Sequence, residues 1–190
     1  YKPKDIIGGD FYVFYPLQVQ DGVCTKYAIG VFDCTGHGVS GGILAMLGLS
    51  IVQNLTPLLR TKTPAVVLGL INNQFMATLN NGNIAEAKHA GMEGCLCVVD
   101  KNINTISFSG AKSNLHIINS KTNELTILKA NRVNIGDNSS KEKFEFTNHT
   151  TIVNEGDNIY LFSDGITDQY VTINGKNQKL KTKPFISYLI

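Results

Sequence analysis

Two largely apolar runs, residues 11–17, which are aromatic and β-branched, and residues 26–32, read as strands. Gln20-Asp21-Gly22 between them is a turn signal, so the two runs are expected to pair as a hairpin. From Val39 the period changes. Ile43, Leu44, Met46, Leu47, Ile51 and Leu55 recur at helical spacing, and Pro57 marks the end, which predicts a helix over 39–55 with those side chains in the core. Thr63 is a candidate N-cap with Pro64 in the first helical position. Val67, Leu68, Ile71, Phe75 and Leu79 then form the apolar stripe of a second helix, closed by Asn80-Asn81-Gly82-Asn83. Beyond it, residues 93–100, 105–109, 114–118, 125–129, 144–148 and 158–163 read as strands between turn signals, and a short helix is expected over 183–190. Strands joined mainly by hairpins, with the helices in a separate block, predict an α+β fold with helices packed on sheet faces. There is no internal repeat or linker.

A chain of 190 residues has room for one domain with a substantial core. The net charge of +2 comes from intermixed acids and bases, which argues against nucleic acid as a partner; the lysine-rich stretch 176–183 reads as a solvated loop. The longest apolar run, 66–71, is far short of the roughly 20 residues of a membrane span, and no signal peptide opens the chain. Cys24, Cys34, Cys95 and Cys97 lack Cys-x-x-Cys spacing, and Cys95 and Cys97 at alternate positions point to one side of a strand. They read as small buried hydrophobes in a reducing cytosol rather than as zinc ligands.

The candidate chemistry lies in three acidic signatures at glycine-flanked strand ends: Gly8-Gly9-Asp10-Phe11, Asp33-Cys34-Thr35-Gly36-His37-Gly38 and Ser163-Asp164-Gly165. Carboxylate oxygens suit hard divalent ions, and glycine lets the backbone come close to them. Any one Asp-Gly pair is also an ordinary turn; it is the three together, each at the end of a strand, that read as a metal site. Gly8-Gly9-Asp10-Phe11 also has the look of a diguanylate cyclase signature, but its second acid is missing and nothing precedes it to build a nucleotide site.

The set resembles the metal-dependent (PPM-type) serine/threonine protein phosphatases, specifically the bacterial branch named after stage II sporulation protein E. The resemblance runs through residues 1–12, Phe32-Asp33-Cys34-Thr35-Gly36-His37-Gly38-Val39, residues 91–100, Phe108-Ser109-Gly110-Ala111 and Phe162-Ser163-Asp164-Gly165-Ile166-Thr167-Asp168-Gln169. It implies an αββα sandwich of two mainly antiparallel sheets flanked by helices. It also implies two Mg²⁺ or Mn²⁺ ions, with Asp33 bridging them, assisted by the Cys34 carbonyl, Asp10 serving the first and Asp164 the second. The implied activity is hydrolysis of phosphoserine or phosphothreonine by a metal-activated water, with Asp33, Asp10 and Asp164 as the catalytic acids. The implied substrate is a phosphorylated STAS-domain protein, an anti-sigma-factor antagonist in a partner-switching circuit, under an upstream sensor domain or regulator. A cytoplasmic location follows, or the cytosolic part of a membrane-anchored sensor; a homodimer is left open.

His37 is balanced between general acid and a turn-shaping or helix-capping role, because Gly36-His37-Gly38 sits two residues further from its aspartate than in the eukaryotic-type pattern. Asp168 matches an acidic family position and reads equally as an exposed helix-start carboxylate. His89, His116 and His149 are not expected to be ligands. Two departures stand out. No acid follows Asp168 where the family carries an Asp-Asp pair, so the 1–190 catalytic domain either lacks its last strand or holds its second ion weakly, and a catalytically impaired phosphoprotein-binding switch is the alternative. Lys112-Ser113 stands where a His or Asn and small residues are common. The glycines Gly38, Gly41, Gly42 and Gly48 are expected to make the first helix adaptable.

Overall fold

The computed structural model describes residues 7–81, 90–136, 144–173 and 175–189. Residues 1–6 of the family-like opening, the end of the turn at 82–83, His89 and Ile190 lie outside them. Strands β1 (Asp10–Gln20) and β2 (Val23–Cys34) form the expected hairpin, with Asp21 and Gly22 both at positive φ, 50° and 77°. A five-stranded sheet in the order β1-β2-β3-β4-β7 adds β3 (Met92–Asp100), β4 (Thr105–Ala111) and β7 (His149–Ile152). A second sheet, β6-β5-β8, is built from β5 (Leu115–Ile118), β6 (Leu125–Leu128) and β8 (Asn158–Tyr160). All strand pairings are antiparallel.

Helices α1 (Gly38–Leu55) and α2 (Pro64–Asn81) cover one face of the large sheet, joined by a 3-10 turn over Thr56–Arg60. Val13, Phe32, Leu96, Leu68, Ile71 and Phe75 fill the core between helices and sheet. Cys95, Cys97, Phe108, Leu115 and Ile117 fill a second core between the two sheets. The product is the α+β sandwich expected, with helix α4 (Thr182–Leu189) touching the far side where Phe185 meets Phe162 edge-on at 5.0 Å. The α2 stripe is as expected: Val67, Leu68, Ile71 and Phe75 are fully buried, and Thr63 Oγ1 accepts from Val66 N–H at 3.4 Å.

Helix α1 is turned differently from its apolar pattern. Its buried face is Gly41, Gly42, Ala45, Gly48, Ile51 and Val52, whereas Val39, Ile43 and Met46 are exposed. The reason is close approach. A Cβ on Gly41 would lie 2.7 Å from the Gly36 carbonyl oxygen, and one on Gly42 only 2.4 Å from Ile7. These glycines are therefore contact points and not hinges. By length and composition the segment Gly38–Arg60 could cross a membrane, but its small-residue face packs on β1, β2 and α2 as that of a core helix does.

Two strand assignments change. Residues 144–148 are not a strand. Thr147 N–H donates to Asn131 Oδ1 at 2.9 Å instead of to a neighbouring strand, Phe146 is buried, and pairing with β4 falls to the following His-Thr-Thr-Ile. The lysine-rich 176–183 stretch is not a loop but contains β10 (Lys176–Lys179), paired antiparallel with β9 (Tyr170–Ile173), with Gly175 before it at φ 73°.

Candidate active site

Strand register brings the acids together. Asp10 on β1 is the cross-strand partner of Asp33 on β2, and Asp33 is the partner of Glu93 on β3. Residues directly opposite one another project to the same face. A row of three carboxylates therefore crosses the end of the sheet, on the face that further along holds Tyr27, Cys95 and Cys97. Asp164 reaches this row from the one-turn helix α3 (Asp164–Thr167), and Asp33 hydrogen-bonds to both Asp164 and Asp10.

The backbone is clamped around them. A Cβ on Gly9 would stand 2.6 Å from the Cys34 carbonyl oxygen, so only glycine fits there, and Cys34 N–H donates to Gly9 O at 3.2 Å. Thr35 donates to Gly91 O from both its N–H, at 2.9 Å, and its Oγ1, at 2.8 Å. The Asp33 to Gly38 turn is thus held between Gly9, Gly91 and Gly41 before α1 begins.

Burial, followed by the negative charges of Asp10 and Asp164, pushes the Asp33 carboxyl up to about 8. The crowding of negative charge thus favours a proton held within the cluster. Among the described residues no group of three His, Cys, Asp or Glu side chains is already spread to hold a metal ion. The donor set nevertheless fits a hard divalent cation: three carboxylates pressed together, with a carbonyl alongside, relieve their repulsion when a cation replaces the shared proton. Cys34 offers only its carbonyl to such a site. Its thiol is buried in the helix-side core and pushed up to about 12, by burial first and then by Asp33 and Asp10.

His37 occupies the N-cap position of α1 in extended backbone, φ −143° and ψ 171°, but its side chain does not make the cap. Asp168 ends α3 instead of starting a helix, and its carboxylate takes Lys179 Nζ at 2.6 Å. The sequence did not place three residues at the site, though it marked Lys112 as a departure at a family position. Glu93 completes the acid row, Lys112 pairs with it at 3.2 Å, and His116 is buried, stacked on Phe162 at 5.1 Å. Their placement depends on cross-strand register, a long-range property that no local pattern carries. Asp33, Asp164, Glu93, Lys112 and His116 line one cleft of about 130 Å³.

An antiparallel α+β sandwich with aspartates gathered at a sheet end is the architecture of a PP2C-type phosphatase. The chain belongs to the stage II sporulation protein E (SpoIIE) family, whose model matches residues 25–187, within the PPM phosphatases. It is similar to the SiaA PP2C domain of Pseudomonas aeruginosa, with 30% identity and a TM-score of 0.77 over 99% of this chain and 68% of that one. The PP2C phosphatase domain of Bacillus subtilis SpoIIE, solved with a fragment of its regulatory domain, has a TM-score of 0.63 at 16% identity, over 85% of this chain and 42% of that one. RsbX, solved in complex with magnesium, has a TM-score of 0.62 at 14% identity, over 87% and 70%. The last two likenesses concern the fold alone. No curated protein sequence matches the chain.

Proposed function

We propose that this protein is a Mg²⁺- or Mn²⁺-dependent phosphatase acting on phosphoserine or phosphothreonine of a regulatory protein, with Asp10, Asp33 and Asp164 as the acids that hold the metal. The observation that carries this reading is the convergence of those three carboxylates, Asp33 paired across the strands with Asp10 and lying against Asp164. Two divalent ions, when bound, lower the pKa of a shared water and neutralise the phosphoryl oxygens. In such a site Asp33 would be the ligand common to both ions, Asp10 and Asp164 would each hold one, and the Cys34 carbonyl, close against Gly9, would add an uncharged donor.

The substrate proposed is a phosphorylated STAS-type antagonist, and the regulator an adjoining sensor domain. SpoIIE-family membership and the regulatory domain beside the similar Bacillus subtilis phosphatase domain support both. The test is phosphate release from serine-phosphorylated STAS proteins with and without Mn²⁺. Release that needs metal and vanishes in Asp33→Asn is the expected result; metal-bound protein that captures the phosphoprotein without releasing phosphate would make it a binding switch instead.

A further inference from the structure

The cleft beside the aspartates is acidic on one wall, where Asp33, Asp164 and Glu93 stand. Such a wall disfavours a phosphate monoester dianion unless a cation stands beside it. Among the described residues lining this cleft, Lys112 carries the one full positive charge, because burial holds the His116 imidazole below its ordinary value and therefore neutral.

Lys112 is held in an unusual way for a lysine. It follows β4 with φ 56°, in the left-handed region that an unbranched non-glycine residue enters at a cost. Its N–H donates to Asn131 O at 2.7 Å, and its backbone bridges in parallel to Gly94. Those contacts fix the Cα beside the acid row. The side chain then lies with Nζ 3.2 Å from Glu93 Oε1, and both side chains are nearly half exposed, 41% and 46%. An ion pair so exposed is weak and readily exchanged. Strained backbone directed at a cleft, carrying a cation whose present partner is easily displaced, is an arrangement suited to a second anion.

We infer that Lys112 is the phosphoryl-binding cation of this cleft, exchanging Glu93 for a non-bridging oxygen of a phosphate monoester. The inference rests on the phosphatase reading for its substrate but not for its anion. Charge-assisted N–H to O contact supplies the attraction, and Glu93 parks the ammonium within reach when no phosphate is present. His116, another lining residue, is 3% exposed, with its ring stacked on Phe162 and Nδ1 lacking a partner.

Calorimetric titration of inorganic phosphate into the Mn²⁺-loaded protein tests this, with Mn²⁺ affinity measured in parallel. Lys112→Met keeps an unbranched side chain at the same φ and should weaken phosphate binding about tenfold or more, while Lys112→Arg retains most of it. Glu93→Gln should leave phosphate binding as tight or tighter. Mn²⁺ binding should be undiminished in Lys112→Met, since removing a nearby positive charge cannot repel a cation. Phosphate affinity within twofold of wild type in Lys112→Met, a wild type that binds no phosphate, or loss of Mn²⁺ binding in the variant would each overturn the assignment. Turnover separates the two readings: phosphate bound through Lys112 without any phosphoprotein hydrolysis would sink the phosphatase and leave this site, and normal turnover with unaltered phosphate affinity would do the reverse.

Discussion

The inter-sheet face of β2 and β3 has a dry end and an acid end, and the same physical cause governs both. At the dry end Cys95 and Cys97 are buried with Phe108 and Ile117; burial pushes the Cys95 thiol up to about 11 and Cys97 higher still. At the acid end burial is again the largest cause of the shift that takes Asp33 to about 8. For a thiol the neutral form is simply an apolar side chain that packs. For a carboxyl wedged between two others, the neutral form is a strained compromise that a divalent cation would resolve. One surface thus serves as core over most of its length and as a site where its strands end.

The largest expected separation between the two ends is Asp33→Asn, which should lower metal-dependent turnover about a thousandfold or more, since on the proposed reading both ions would lose their common ligand. Its melting temperature without metal should hold or rise, because a clustered acid has been removed. Phe108→Ala should do the opposite. It removes a fully buried ring from the inter-sheet core and should cost about 3–5 kcal/mol in denaturant unfolding, with activity per folded molecule kept.

A subtler contrast lies in pH. Asp33 is raised when folded, so between its unfolded value of 3.8 and about 8 the folded protein binds the extra proton. Stability without metal should therefore be greatest at the low end of that window and fall as pH climbs through it. Calorimetric melting in chelator at pH 5 and pH 8 should show the drop in wild type and a flatter profile in Asp33→Asn. Smallest of all is Asp168→Asn. Its partner Lys179 is solvent-exposed, so neither melting temperature nor Mn²⁺ affinity should change measurably.

The two ends were also unequally legible in the sequence. Asp10 and Asp164 stand out because a glycine adjoins each, and Asp33 because Gly36 and Gly38 follow it closely; the β1–β2 hairpin and the α2 stripe follow from short-range period. The inward face of α1 did not, because Gly41, Gly42 and Gly48 bury themselves by close contact and carry no hydrophobic signal. Glu93, Lys112 and His116 join the cleft only through the pairing of β3 and the position of β5, which residues far apart in the chain decide. The β9–β10 hairpin did have a local mark, Asn174-Gly175, masked by the lysines that follow it.

The central claim is that the Asp10, Asp33 and Asp164 cluster exchanges a proton for divalent metal. Mn²⁺ titration at pH 7, repeated in buffers of different ionisation enthalpy, measures both events at once. The account predicts saturable binding that releases close to one proton from Asp33, with binding weakened and the release lost in Asp33→Asn. Metal binding that releases no proton and is unchanged in Asp33→Asn would contradict it.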